Sequence, residues 1–237
     1  MQLLVIGGSG RVGTMVLPHL AEHHRIRVLD LVPPAPGPWE YRSGTVEDVD
    51  AIAASLDGVD ALVYMAMNPQ SDWGSVATVG AAFDVNVKGV YLALWAAANR
   101  GIPHAVYISS LSVYEPRQIH YPDDAVPPDA LDFYGLTKRL GEEVCRARVA
   151  ESGITVTALR LCFPTADDAP PPTEPVFRAT TYTRAYDVAR AILAALEYRN
   201  GFDAITISGD AAEKLTSLRK ADEVLGWTPT QPAAPVL

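Results

Sequence analysis

Cysteine is scarce in this sequence, which leaves little chemistry for holding a metal ion. Only two of the 237 residues are cysteines, Cys145 and Cys162, and their separation matches no metal-ligand spacing. We therefore expect no metal site and two buried or half-buried thiols.

Positive charge is also in short supply. The chain has 19 lysines and arginines against 28 aspartates and glutamates, which gives a formal net charge of −9. Because phosphate groups are bound mainly by lysine and arginine, this balance disfavours nucleic acid and acidic membrane surfaces as partners. A small-molecule substrate is expected instead.

Long apolar runs and targeting segments are missing from the sequence. No run is long enough to span a bilayer, and Met1 leads straight into an apolar stretch without a basic segment or a cleavage site. No internal repeat or low-complexity linker divides the chain either. We expect a cytoplasmic protein built as one α/β domain with a small appendage.

A glycine-rich turn follows the first predicted strand, which covers residues 2–6. In a strand–turn–helix context, such glycines let backbone N–H groups approach a pyrophosphate at the positive end of the helix. The turn is spaced Gly-x-x-Gly-x-x-Gly. The residues expected to bind the dinucleotide here are Gly7, Gly10, Arg11, Val12 and Gly13.

A carboxylate ends the second predicted strand. Asp30 lies seventeen residues after Gly13, where it could accept hydrogen bonds from the adenosine ribose hydroxyls. The same charge would repel a 2′-phosphate, and no arginine follows to receive one. NAD is therefore favoured over NADP as the cofactor, with Arg11 as the one cation that softens this preference.

A second cluster of chemical groups surrounds the predicted strand at residues 104–108. Serines follow it at its carboxyl end, where open α/β sheets place their ligands. Tyr134 and Lys138 open the next helical pattern, in which Glu142 and Glu143 are further charged positions. Residues four apart share one helix face. A free tyrosine has a pKa of about 10, and a neighbouring ammonium favours the phenolate. We expect Lys138 and the positive charge of the oxidised nicotinamide together to lower the pKa of the Tyr134 phenol and so make it a base.

These motifs together resemble the short-chain dehydrogenase/reductase superfamily. The Tyr-x-x-x-Lys motif, a serine 24 residues upstream and the glycine turn are most similar to the extended branch, the NAD-dependent epimerase/dehydratase family. The resemblance runs from Met1 to about Arg160 and reappears at residues 186–189 and 225–227. It implies a doubly wound Rossmann-type parallel sheet with a small carboxyl-terminal substrate-binding lobe. Residues 1–161 would form the NAD(P)-binding core, and residues 162–237 the lobe, interleaved with the last core elements.

The resemblance also assigns roles at the predicted active site. Ser110 matches the register of the family's serine and would bind the substrate oxygen. Ser112 is the alternative candidate for this role. Tyr134 would be the catalytic base, and Lys138 would also hold the nicotinamide ribose. Thr45 stands where relatives carry an aspartate beside the adenine, which puts that hydrogen bond in doubt. The remaining cofactor contacts implied by the family pattern are Thr45, Val46, Met65, Ala66, Met67, Asn86 and Phe163.

The later part of the chain bears on the substrate. Substrate contacts would come from three loops, at residues 68–78, 115–132 and 163–183. The last of these loops is too short to enclose a nucleoside diphosphate such as UDP. This favours a small hydroxylated or keto substrate, as in the uronate dehydrogenase type. Candidate polar contacts are Ser71, Ser75, Ser112, His120 and Arg178.

Other interpretations stay open at this point. One alternative is a nucleotide-sugar epimerase or dehydratase that retains its NAD, and another is a non-catalytic NAD(P)-binding regulatory protein. The resemblance further implies a homodimer formed by helices 81–99 and 134–151. In the last third, we expect Arg160 to be a structural anchor, Asp187 to cap a helix, and residues 229–237 to be loose.

Overall fold

A seven-stranded parallel sheet forms the centre of the molecule. The structure, a computed structural model, describes residues 1–68, 72, 74–115 and 126–233. The strand order is β3-β2-β1-β4-β5-β6-β9, and every neighbouring pair is parallel. This is the predicted α/β, Rossmann-type doubly wound sheet. The strands are β1 (Gln2–Ile6), β2 (Arg25–Asp30), β3 (Trp39–Ser43), β4 (Ala61–Tyr64), β5 (His104–Ser110), β6 (Thr155–Leu161) and β9 (Phe202–Ile207).

Helices cover both faces of this sheet. Along β1, Leu3 and Val5 pack into one apolar cluster with α1 and α7, whereas Leu4 and Ile6 pack into the other with α2, α4 and α5. Successive strand residues point to opposite faces, so an all-apolar strand serves both cores. The helices are α1 (Arg11–Ala21), α2 (Val49–Ser55), α3 (Val76–Phe83), α4 (Val90–Asn99), α5 (Phe133–Ser152), α6 (Val176–Thr181), α7 (Ala185–Glu197) and α8 (Arg219–Leu225).

The long helix predicted over residues 81–99 differs from the prediction in two ways. It begins earlier, at Val76, and a π-helical segment, Asp84–Gly89, joins α3 to α4. The Tyr64 hydroxyl donates to the backbone oxygen of Val85 at 2.6 Å, which draws that carbonyl out of the regular ladder. Gly89 makes room for this contact, since a Cβ there would lie 2.5 Å from the Tyr64 oxygen.

Helix α5 lies close to its predicted position. The Asp132 side chain caps its first turn by accepting from the N–H groups of Tyr134 and Gly135. Gly153, with φ of 75°, ends it in the left-handed conformation that favours glycine. Local signals therefore set both ends of this helix.

The carboxyl-terminal part adds two short paired strands, β7 (Pro164–Thr165) and β8 (Thr183–Arg184), with α6 between them. Strand β9 then adds to the edge of the main sheet, next to β6. The division of the chain at residue 161 into a cofactor-binding core and a substrate-binding lobe stays a prediction. Within the described ranges, no helix is both long enough and apolar enough to cross a membrane.

Two predictions for the end of the chain were wrong as far as the structure describes it; residues 234–237 of the segment expected to be loose lie outside the described residues. Asp187 is fully buried inside α7 and does not cap it; the N-cap residue is Arg184. The Asp187 carboxylate accepts from the backbone N–H groups of Thr230 and Gln231. Residues 230 and 231 are therefore fastened to α7 and are not loose, because a buried carboxylate needs donors.

Candidate active site

The glycine-rich turn brings the start of α1 against the ends of the central strands. Gly7 has φ of 86°, and a Cβ there would lie 2.4 Å from backbone atoms of Ala66. A Cβ on Gly13 would lie 2.2 Å from the oxygen of Gly8. The turn therefore packs more tightly than any side chain would permit. Gly13 serves this packing and does not line the adjacent cleft.

A cleft of about 520 Å³ lies along this turn, at the carboxyl ends of the strands. It joins the glycine turn to the serines at the end of β5, as the sequence predicts for parallel strands that share one edge. The predicted residues that line it are Gly7, Gly10, Arg11, Val12, Asp30, Thr45, Val46, Met65, Ala66, Met67, Ser110, Tyr134 and Lys138.

Several lining residues were missed by sequence reasoning. Ser9, Leu31, Val32, Ile108, Leu161 and Pro164 also face the cleft. Ser9 lies in the turn, and each of the others lies at or just beyond the end of a strand. Accurate strand ends would therefore have predicted these residues from the sequence.

The Asp30 carboxylate is fixed at the edge of the cleft. One oxygen accepts from the N–H of Ser9 at 2.9 Å and the other from that of Leu31 at 2.7 Å. Each oxygen keeps a lone pair for a further donor, such as a ribose hydroxyl. The glycine cradle, the open start of α1 and this carboxylate together fit NAD.

Arg11 reaches from the glycine turn across to the carboxyl-terminal part. Its Nη2 atom donates to the backbone oxygen of Pro164 at 3.4 Å. A cation at the start of α1, beside a cleft wall, suits an anionic pyrophosphate.

Two further predicted cofactor residues lie outside the cleft lining. Asn86 is buried in the π segment, and its Nδ2 atom donates to Thr137 Oγ1 at 3.0 Å. Thr137 in turn donates to the backbone oxygen of Tyr134, so Asn86 supports α5. Phe163 has φ of 40°, and its ring contacts that of Phe177 edge-on at 5.6 Å between centroids.

Ser110 and Tyr134 meet at the predicted reaction centre. Ser110 ends β5, and its hydroxyl oxygen also accepts from the N–H of Ser112 at 3.1 Å. Burial raises the pKa of the Tyr134 phenol above its usual value, while a hydrogen bond from Ser110 acts in the lowering direction and Asp132 adds to the rise. Within the chain itself, Lys138 therefore does not lower the pKa of the phenol below its usual value, because desolvation of the phenolate outweighs the neighbouring groups.

Lys138 lies one turn further along α5, with 3% of its surface exposed. Its Nζ atom donates to the backbone oxygen of Ile108 at 2.9 Å. Burial lowers the pKa of this ammonium to about 8, with Cys145 and Glu142 acting in the opposite direction. The ammonium and the phenol thus face the same strand end, as their spacing predicts.

Arg160 is a structural residue, as expected, but it anchors a helix and a tyrosine instead of the following loop. It binds Glu142 of α5 and the hydroxyl of Tyr114. Sequence reasoning missed Glu142, which looked like a charged surface position. Its spacing of four residues from Lys138 was the available signal.

The candidate substrate contacts are scattered. Ser75 caps α3 by accepting from the N–H of Thr78. Arg178 lies over the Phe163 ring, 5.7 Å from its centroid. Ser71 and His120 lie outside the described residues.

Known proteins resemble this chain over most of its length. The family model described as "NAD dependent epimerase/dehydratase family" matches residues 3–175. An undecaprenyl-diphosphate-linked N-acetylglucosamine 4-epimerase of Escherichia coli O157:H7 is 33% identical over 61% of this chain and 42% of its own length. An NAD-dependent glucose-6-phosphate dehydrogenase of Haloferax volcanii is 24% identical over 98% of this chain and 94% of its own.

Solved structures share the fold. A uronate dehydrogenase variant from Agrobacterium tumefaciens, complexed with NAD, matches with a TM-score of 0.81 and 23% identity, covering 98% of this chain and 85% of that one. The chain spans less than half the length of the first curated relatives that it matches. NAD is the cofactor of the matched family, in agreement with the sequence prediction. Since the family model covers well over half of the chain, the chain belongs to the NAD-dependent epimerase/dehydratase family.

Proposed function

We propose that this protein is an NAD-dependent oxidoreductase that transfers hydride between the nicotinamide and a small hydroxylated substrate, sugar-like or uronic. Ser110, Tyr134 and Lys138 would be its catalytic residues. The observation that carries the proposal is the meeting of these three side chains at one end of the cleft, with the glycine turn and Asp30 along the rest of it.

The proton chemistry follows from the positions of the side chains. In oxidation, Ser110 orients the substrate hydroxyl towards Tyr134, and the phenolate oxygen takes its proton. When bound, oxidised NAD would supply the hydride acceptor, and its positive charge would favour the phenolate against the effect of burial. Lys138, held at the oxygen of Ile108, provides a positive charge one helical turn from the phenolate. In reduction, the same phenol returns the proton to the substrate oxygen.

The size of the carboxyl-terminal part supports a small substrate. Between Pro164 and Arg184, the structure builds two paired strands of two residues each and the six-residue helix α6. A segment this short offers few contacts to a nucleoside diphosphate. A monosaccharide or uronic acid fits this amount of material better.

A cofactor-reduction screen tests the proposal. Purified protein with NAD or NADP is offered aldoses, uronic acids and small hydroxy acids, and the absorbance of reduced cofactor is followed. We expect NADH formation with one of these classes and a loss of at least about 100-fold in Tyr134→Phe, which removes the proton acceptor. Calorimetry should show that this variant still binds NAD. Wild-type protein that binds NAD but reduces none with any class would contradict the proposal.

A second candidate function is epimerisation of a nucleotide sugar with retained NAD. Epimerisation is favoured by the 33% identity with the Escherichia coli O157:H7 relative, which is named as a 4-epimerase of a sugar linked through diphosphate to undecaprenol and not to a nucleoside. NAD that co-purifies with the protein, together with conversion of a UDP-sugar and no net NADH release, would select this function over the first.

A further inference from the structure

A carboxylate lies buried beneath the cleft, one helical turn beyond Lys138. The side chains of Glu142 and Arg160 are each 3% exposed. Arg160 donates to both carboxylate oxygens, from Nε to Oε1 at 2.9 Å and from Nη2 to Oε2 at 2.7 Å. This bidentate geometry is the one that best offsets the cost of removing two charges from water.

The same carboxylate is joined to the strand that carries Ser110. Ser109 Oγ donates to Glu142 Oε1 at 2.6 Å. Three residues of α5 spaced four apart thus hold three consecutive residues of β5: Tyr134 with Ser110, Lys138 with Ile108, and Glu142 with Ser109. The register of the helix on the strand end is therefore fixed at three points.

The other end of the pair reaches the segment that leads into α5. Arg160 Nη1 donates to the Tyr114 hydroxyl at 2.6 Å, and this hydroxyl donates to the backbone oxygen of Val126 at 3.2 Å. N–H groups of residues 129 and 130 also donate to the oxygen of Val113. These contacts therefore link α5 to β6, β6 to the segment just after β5, and that segment back to the residues that lead into α5.

We propose that Glu142, Arg160 and Tyr114 are positioning residues that set Tyr134 and Lys138 against Ser110, and that the Glu142 carboxylate keeps Lys138 in its ammonium form. This inference rests on the proposed function, because it concerns the same site. An ordinary buried ion pair would affect stability alone. This one joins the elements that carry all three catalytic side chains, so its removal changes both their geometry and their charge.

The charges around Lys138 make the second half of the proposal testable. Glu142 follows Lys138 by four residues on α5, and the two side chains bind the adjacent strand residues Ser109 and Ile108. A carboxylate so placed favours the ammonium, and Arg160 shares that carboxylate, so loss of each partner should act on Lys138 in opposite directions. The other titratable groups that face Lys138 among the described residues are Cys145, Tyr134 four residues before it on α5, and Tyr107 of β5, whose ring centroid lies 5.2 Å from Nζ.

The first experiment compares pH profiles of kcat/KM for Glu142→Gln and Arg160→Met, with the substrate class found in the screen. We expect the alkaline limb to move by about half a pH unit or more, downwards in Glu142→Gln and upwards in Arg160→Met. Arg148→Met is the matched control, since Arg148 is also a buried arginine, lies on α5 and pairs with a glutamate, Glu151. Arg148→Met should leave the pH of the alkaline limb unchanged. Uniform losses without a shift, or shifts in the same direction, would overturn the proposal.

The second experiment does not depend on turnover. Hydrogen–deuterium exchange is measured on the full chain for Tyr114→Phe and for the double variant Glu142→Leu/Arg160→Met, which removes both charges together and so should fold. Exchange at residues 126–132 and in the first turn of α5 should be about tenfold faster or more, with β1 and α1 unchanged. Unchanged exchange there refutes the positioning network, whereas absence of NADH formation in the wild-type protein refutes only the proposed function.

Discussion

At the scale of single residues, the group that distinguishes the cleft is a buried ammonium. Lys138 is 3% exposed and donates to a backbone carbonyl. Burial lowers its pKa from the usual 10.5 to about 8. The folded chain therefore binds this proton more weakly than the unfolded chain does, and the charge costs stability at neutral pH. A group kept at such a cost is expected to serve the reaction.

Replacing this lysine should stabilise the fold while it abolishes turnover. Lys138→Met keeps the side-chain volume and should raise the free energy of unfolding at pH 7 by up to about 3 kcal/mol, the equivalent of the pKa shift. This gain in the free energy of unfolding should shrink by roughly half at pH 9.5, because the folded wild-type chain, in which Lys138 has the lower pKa, has by then released the proton and no longer buries a charge. Urea denaturation at both pH values measures this. A variant less stable than wild type at pH 7, or a difference independent of pH, would contradict the prediction.

The packing of the glycine turn gives a second prediction for a single residue. Gly13→Ala places a methyl group 2.2 Å from a backbone oxygen, so we expect a loss of about 1–3 kcal/mol in the free energy of unfolding and weaker NAD binding. Gly80→Ala is the control, since Gly80 lies exposed in α3 with no atom near its Cβ position. That change should stabilise by about 0.5–1 kcal/mol. Thermal melts and NAD titrations distinguish the two variants.

At the scale of elements, α7 fastens the end of the chain to the core. The Asp187 carboxylate accepts from residues 230 and 231, and Arg190 pairs with it at 2.9 Å. The buried Trp227 indole donates to the backbone oxygen of the same aspartate at 3.0 Å. A helix that already packs against α1 thereby also orders the segment after α8.

Loss of this carboxylate should release that segment. Asp187→Ala leaves several donors without a partner, and we expect the free energy of unfolding to fall by about 2–4 kcal/mol. Limited proteolysis should cut near residue 230 in the variant but not in the wild type. The exposed Asp222→Asn in α8 is the control and should change stability by less than about 0.5 kcal/mol. Equal protease resistance of Asp187→Ala and wild type would be evidence against the fastening role.

At the scale of the whole molecule, the strand order decides where the chemistry lies. Parallel strands β1, β2, β4, β5 and β6 all end at the same edge, and residues from the ends of these strands line one cleft. A ligand in this cleft contacts both halves of the sheet. Its binding should therefore stabilise the fold as a unit.

Cofactor choice should be visible in that stabilisation. NAD at 100 times its dissociation constant should add about 2.7 kcal/mol to the free energy of unfolding, and NADP at the same concentration should add less, since Asp30 repels a 2′-phosphate. Asp30→Ser should narrow the difference, whereas the exposed Asp57→Ser should not. Thermal shift measurements with each cofactor test this, and equal stabilisation of the wild type by both cofactors would show the assignment to be wrong.

The sequence by itself determined the features that depend on neighbours along the chain. The glycine spacing, the apolar strands, the cap at Asp132 and the shared face of Tyr134 and Lys138 are all local, because helix and strand periodicity follows from backbone geometry. The resemblance to the family rested on the glycine turn, the serine at the strand end and the Tyr-x-x-x-Lys pair, and the family match confirms it.

Only the tertiary structure decided what depends on burial and on distant partners. It turned Glu142 from an apparent surface charge into the partner of Arg160, made Asp187 an anchor instead of a cap, and placed Asn86 behind α5. It also set the direction in which the pKa of Tyr134 moves. Spacing along a chain fixes which face a residue occupies, but the loss of water around that residue and the charge it meets depend on how remote elements pack together.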